Sequence, residues 1–150
     1  MKSETPILQL FNESDEDIPL SNETASAILD QISLHEEASF SMVELVYVNE
    51  EEIVRINKEH LDRDYITDII SFRYDDGTAS NSDIEGTLFC CAPRIIEQAE
   101  EFGESVENEF KRILIHGLLH LLGYKDKTKE QKSEMTSLEN KYLQLTAPNK

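Results

Sequence analysis

Nowhere do eighteen apolar residues run together, so no stretch reads as a membrane-spanning helix. The opening residues, Met1 to Pro6, lack the basic flank and apolar core of a secretory leader. Both absences lead to the expectation of a cytoplasmic protein with no membrane partner. Cysteine is nearly missing: Cys90 and Cys91 are the only two, and they are adjacent. Neighbouring strand residues point to opposite faces, and this pair has the spacing of neither a zinc knuckle nor a redox motif. Reduced strand residues are expected. Internal repeats and low-complexity segments are also lacking, and 150 residues suit one domain spanning residues 1–150. Cations are scarce, with 14 Lys and Arg against 31 Asp and Glu, a net charge of −17. That argues at first against a nucleic-acid partner, but the shortage is uneven. Residues 1–110 carry 6 basic and 27 acidic side chains (net −21), whereas residues 111–150 carry 8 and 4 (net +4). Lys125, Lys127, Lys129 and Lys132 belong to that basic part. It permits a local anion-binding surface on an acidic body, the alternative being an ordinary solvated helix face.

What the sequence does hold is concentrated between Phe110 and Asp126. His116 and His120 stand four residues apart in a run of Ile and Leu, so on a helix both imidazoles leave one face. Gly123 can end that helix in the left-handed conformation that glycine adopts cheaply. Asp126 follows where a returning chain could present a third ligand. The pattern His-x-x-x-His-x-x-Gly-x-x-Asp has the spacing of a metzincin-type zinc site, with Asp in place of a third histidine. The bland alternative is a buried helix with two satisfied core histidines. The coincidence of pair, glycine and oxygen donor in one register favours a metal.

Three protein ligands leave one position open, as catalytic metals require. Zinc is the expected ion, and the carboxylate leaves manganese or iron open as well. A metal so held can activate water or polarise a carbonyl or phosphoryl oxygen. Zinc peptidases of the His-Glu-x-x-His type carry their general base directly after the first histidine. Here that residue is Gly117. A glycine takes no proton, so peptide hydrolysis is disfavoured, and its small size suits close helix packing.

Along the chain, Ile7–Phe11 reads as a short strand, and Asn12–Pro19 as an acidic loop. Ser21 should cap a helix running to about Glu36. Ser41–Val48 reads as a second strand, and Asn49 as the cap of a helix with an acidic first turn. Thr67–Tyr74 and Gly86–Cys91 complete the strands, separated by a Gly/Ser/Asn/Asp-rich loop from Asp75 to Asp83. Pro93 starts a helix whose buried face is marked by Ile95, Ile96, Ala99 and Phe102, stopping at Gly103. Ser105 should cap the histidine helix, and Thr128–Leu145 forms the last one. This order predicts an α+β fold: a small mixed four-stranded sheet covered by about five helices, with a zincin-like metal helix.

His116-Gly-Leu-Leu-His-Leu-Leu-Gly-Tyr-Lys-Asp126, with Met135 after it, resembles the signature of the YbeY family of ribosomal-RNA maturation factors. Thr67-Asp-Ile-Ile-Ser-Phe72 is similar to the family's second motif, with Asn57 ten residues ahead of it, and Gly86-Thr-Leu-Phe with Gln98-Ala99 to a weaker third. The resemblance runs from about Leu45 to Leu143. It implies a metal-dependent, single-strand-specific endoribonuclease that matures the 3′ end of small-subunit ribosomal RNA and serves ribosome quality control. It also implies the small ribosomal subunit and its associated factors as partners, and His116 and His120 as metal ligands.

Three positions depart from the pattern. Asp126 replaces the third histidine, Leu61 replaces an arginine, and Thr87 replaces an aspartate. Arg63 or Arg73 could stand in for the lost phosphate contact, or be solvated surface charge. Thr67, Asp68 and Ser71 are candidates for substrate binding near the metal, against a reading as local hydrogen bonds at a strand start. Tyr124, beside Lys125, could stack an RNA base or pack next to its glycine. His35 and His60 are expected at the surface or in packing. A second functional reading, favoured by Leu61 and the acidic body, is a ribosome-associated binding module with a structural metal.

Overall fold

The computed structural model describes residues 7–74 and 83–147. The loop expected from Asp75 lies outside the described residues apart from its last member, Asp83. In chain order the elements are β1 (Leu8–Asn12), α1 (Asn22–Glu36), β2 (Phe40–Val48), α2 (Glu50–Leu61), β3 (Ile69–Arg73), β4 (Ile84–Cys91), α3 (Ala92–Phe102), α4 (Val106–Leu121) and α5 (Lys129–Leu145). The strands lie in the order β1-β2-β4-β3; the first three are parallel and β3 runs antiparallel to β4. This is the mixed four-stranded sheet with five helices that the sequence predicted. No helix among the described residues is long and apolar enough to cross a membrane.

The helix starts follow from their caps. Ser21, Ser105 and Thr128 each accept a hydrogen bond from the backbone N–H three residues on, and Gln131 returns the bond to Thr128. Asn49 occupies its expected cap position but uses its side chain elsewhere, bonding the Asp15 N–H and carboxylate in the loop before α1. The strand β3 opens at Ile69, two residues later than expected. Ahead of it the Thr67 hydroxyl accepts from the Asn57 amide at 3.1 Å, and the Cys91 N–H donates to the Asp68 carbonyl.

Two cores form because successive strand residues face opposite ways. Leu45, Tyr47, Leu88 and Cys90 pack toward α1 and α4, while Val46, Val48, Ile70 and Cys91 pack against Ile53 and Ile56 of α2. The two cysteines are free, buried and on opposite faces. α4 presses onto the sheet at Gly117, where a Cβ would stand 2.6 Å from Ile69 Cδ1 and 3.0 Å from Leu88 Cδ1. One expectation fails: Phe102, assigned to the buried face of α3, is 64% exposed. The packing that covers Ile95 and Ala99 stops a turn short of it.

Candidate metal centre

The last turns of α4 bring His116 and His120 onto one face, with their ring centroids 4.5 Å apart. The helix then stops in a Schellman arrangement: Tyr124 N–H donates to the Leu119 carbonyl and Gly123 N–H to the His120 carbonyl, with Gly123 at φ 105°. This turn returns the chain so that Asp126 Oδ2 lies 3.3 Å from His116 Nε2 and 3.5 Å from His120 Nε2. The two Nε2 atoms are 3.0 Å apart. One atom from each of the three residues therefore falls within a 4.8 Å cluster.

The other ring nitrogens are spoken for. His116 Nδ1 lies 2.6 Å from Glu139 Oε2 on α5, and His120 Nδ1 lies 2.9 Å from the Tyr124 carbonyl. Both partners accept only, so each ring carries its proton on Nδ1. Both Nε2 atoms then face one another and a carboxylate oxygen. Such a convergence of acceptors repels unless a cation lies between them. This donor set fits a divalent metal, and the outer acceptors are the kind that orient metal-ligating histidines.

Electrostatics agree with that assignment. Burial works to lower the His116 pKa, but the Glu139 hydrogen bond and charge, with Asp126 and Asp68 beyond, raise it above the ordinary imidazole value. The pocket is thus built to hold positive charge. Arg112 donates to Glu139 Oε1 at 3.0 Å and reaches Asn140 with its other nitrogen. The centre opens on a cleft of about 340 Å³ between α3, α4 and α5, lined in part by Asp68, Gln98, Glu109, Arg112, Lys132 and Met135.

A family model described as Endoribonuclease YbeY matches residues 10–147. Proteins named Endoribonuclease YbeY resemble the chain closely. That of Chloroherpeton thalassium is 44% identical over 101 residues, covering 67% of this chain and 69% of its own length. That of Chlorobaculum tepidum is 35% identical over 137 residues, covering 91% and 95%. The chain belongs to the YbeY family. The solution structure of TM1509 from Thermotoga maritima superposes with a TM-score of 0.66 at 26% identity, covering 93% of this chain and 88% of that one.

Within this YbeY chain the other residues singled out from the sequence fall in different places. Asp68 lines the cleft with His116 and Asp126. Thr67 is tied to Asn57, whose amide also donates to the Tyr65 carbonyl and so shapes the 61–67 loop. Ser71 lies on β3 between Ile69, which packs on α4, and Arg73, whose Nη1 donates to the Leu121 carbonyl at 2.8 Å, at the end of α4. Arg63 is exposed on the loop after α2, and Lys125 is exposed beside Tyr124. The Tyr124 hydroxyl donates to Glu36 at 2.6 Å, and Tyr142 donates to the other oxygen of the same carboxylate. That contact and burial push the Tyr124 pKa up to about 12. Thr87, in the place of the YbeY aspartate, is buried and bonded to Tyr74 and Glu44, neither of which lines the cleft. His35 and His60 pack edge-on against Tyr142 and Phe72.

Glu139 is the site residue that sequence reading missed. A signal existed: it stands between Met135 and Tyr142 on the buried stripe of α5, and a carboxylate there requires a partner.

Proposed function

We propose that this chain is a metal-dependent endoribonuclease acting on single-stranded RNA, with His116, His120 and Asp126 as ligands to one zinc ion. The observation that carries the reading is the meeting of two Nε2 atoms and a carboxylate, with both Nδ1 atoms engaged by acceptors behind them. A divalent ion at this point supplies Lewis acidity toward a phosphodiester oxygen. Glu139 and the Tyr124 carbonyl hold the two rings in the ligating tautomer. Arg112 pairs with Glu139, and Lys132 adds positive charge to the cleft. Gly117 faces the sheet and offers no proton acceptor, which speaks against peptide hydrolysis.

Family membership further supports a cytoplasmic role in small-subunit ribosomal RNA maturation and ribosome quality control, with residues 1–150 acting as one domain. The test is cleavage of single-stranded ribosomal RNA by purified protein alongside elemental analysis. Wild type carries about one zinc and cuts; His116→Ala loses the activity, and Asp126→Ala loses the metal. Undiminished cutting by His116→Ala rejects the site.

A second reading, a ribosome-associated binding module with a structural metal, draws support from Leu61 and from the carboxylates crowding the cleft. It predicts RNA left intact by metal-loaded protein, and robust metal-dependent cleavage decides against it.

A further inference from the structure

Phe102 is out of place for its helix. Ile95 and Ala99, a turn or two earlier on α3, are fully buried, yet Phe102 exposes 64% of its surface. It lines the same cleft as His116 and Asp126. Away from the proposed metal ligands the cleft is poorly suited to hold a polyanion by charge alone: among the described residues, Asp68, Glu109 and Glu139 face it with Arg112 and Lys132 as cations. Arg112 is already engaged by Glu139 and Asn140. A polyanionic strand entering here needs a contact that does not depend on charge, and an exposed aromatic ring supplies one.

A second, independent feature points to a ligand. Glu109, only 2% exposed, lines the cleft from α4. Its Oε2 accepts from the Gln98 amide at 3.3 Å, whereas Oε1 is shielded from water and has no hydrogen-bond partner among the described residues. A buried acceptor left without a donor is costly, and such atoms in native proteins usually meet their partner in a bound molecule or an ordered water. An exocyclic amino group of a nucleobase is a donor of the right kind, which a turn of the Glu109 carboxyl toward the cleft would admit.

From these observations we infer that the cleft beside the metal centre is a nucleobase subsite, with Phe102 as the stacking surface, Glu109 as acceptor for a base amino group, and Lys132 toward the neighbouring phosphate. The inference rests on the RNA-cleaving reading above and names how the substrate strand is held there. It assigns a base carrying an amino group, as cytosine does at the position where uracil carries an oxygen.

The chain contains no tryptophan, so Phe102→Trp makes a single fluorescent reporter at the subsite. Adding a single-stranded oligocytidylate to the metal-loaded variant, read within the mixing time, should quench its emission, and an RNA duplex of equal length should not. Oligouridylate, which stacks similarly but lacks the amino group, should require several-fold higher concentration. In turnover, Phe102→Ala should raise KM by about tenfold with kcat little changed, because the stack is present in ground and transition states alike. Unquenched emission at saturating RNA together with an unchanged KM would overturn the subsite. Equal affinity for the two homopolymers would remove Glu109 from it. If Phe102→Ala dissolves a dimer while RNA affinity stays at the wild-type level, the ring serves self-association and the inference is wrong. A wild-type chain that cuts no RNA defeats the endonuclease reading alone, since the fluorescence titration still decides this one.

Discussion

Glu139 offers the sharpest test of the metal centre, because it reaches the proposed ligands through His116. Its two oxygens do different things: Oε2 accepts from His116 Nδ1 and Oε1 from Arg112. Glu139→Gln keeps the shape but cannot keep both bonds, since one end must present an NH2 to a donor. Arg112 retains Asn140 and partial solvent exposure, so the glutamine should turn its oxygen to His116 and release Arg112. The histidine then keeps its tautomer but loses the charge behind it. Glu139→Leu removes both functions. Removing such an outer acceptor typically weakens metal binding by about 10- to 100-fold, or about 1.4–2.8 kcal/mol. Glu139→Gln should fall near the lower end and Glu139→Leu near the upper. Zinc affinity is measured by competition with a chromogenic chelator, with circular dichroism confirming that each variant is folded. Wild-type affinity in Glu139→Leu, or a glutamine variant weaker than the leucine one, would refute the reasoning.

Gly117→Ala gains about 1 kcal/mol of helix propensity but drives a methyl into Ile69, an overpacking cost of about 1–3 kcal/mol. Urea denaturation should show a net loss that Ile69→Val, which removes the offending Cδ1, restores; an alanine variant at least as stable as wild type would show the close approach to be unimportant. Burial raises the Glu109 pKa, so folding favours its protonated form and the penalty of its charge is fully present near neutrality. That penalty fades as pH falls through the folded pKa toward the unfolded one. Glu109→Gln should therefore melt above wild type at neutral pH, with the gap closing by about pH 4. Both proteins are compared in chelator, and a gap independent of pH would contradict the assignment.

The parts of this molecule governed by local chain chemistry were readable from the amino acids. Ser21 and Ser105 cap where their side chains predict, Gly123 stops α4 with a positive φ, and Asp126 arrives beside His116 because only five residues separate it from His120. Features set by the packing of remote elements were not. The distance from His116 to Glu139 depends on how α5 lies against α4, which periodicity does not encode. Phe102 keeps perfect helical spacing with Ala99 and Ile95, yet the layer above it ends too soon. Arg73 was weighed as a phosphate contact, but the register of β3 beside α4 gives its guanidinium the Leu121 carbonyl. Asn49 shows the same limit on a small scale, its amide drawn to a loop 34 residues away.

All three proposed ligands come from one run of eleven residues, His116 to Asp126. In a zinc finger the ion staples segments that would otherwise drift apart, and withdrawing it unfolds the domain. Here the helix and its glycine stop have already brought the donors together, and the entropy of closing so short a loop is small. The ion therefore ties down little chain that is not held already. Withdrawing it should silence the site while the sheet and helices stand, and returning it should restore function at the speed of binding, with no refolding step.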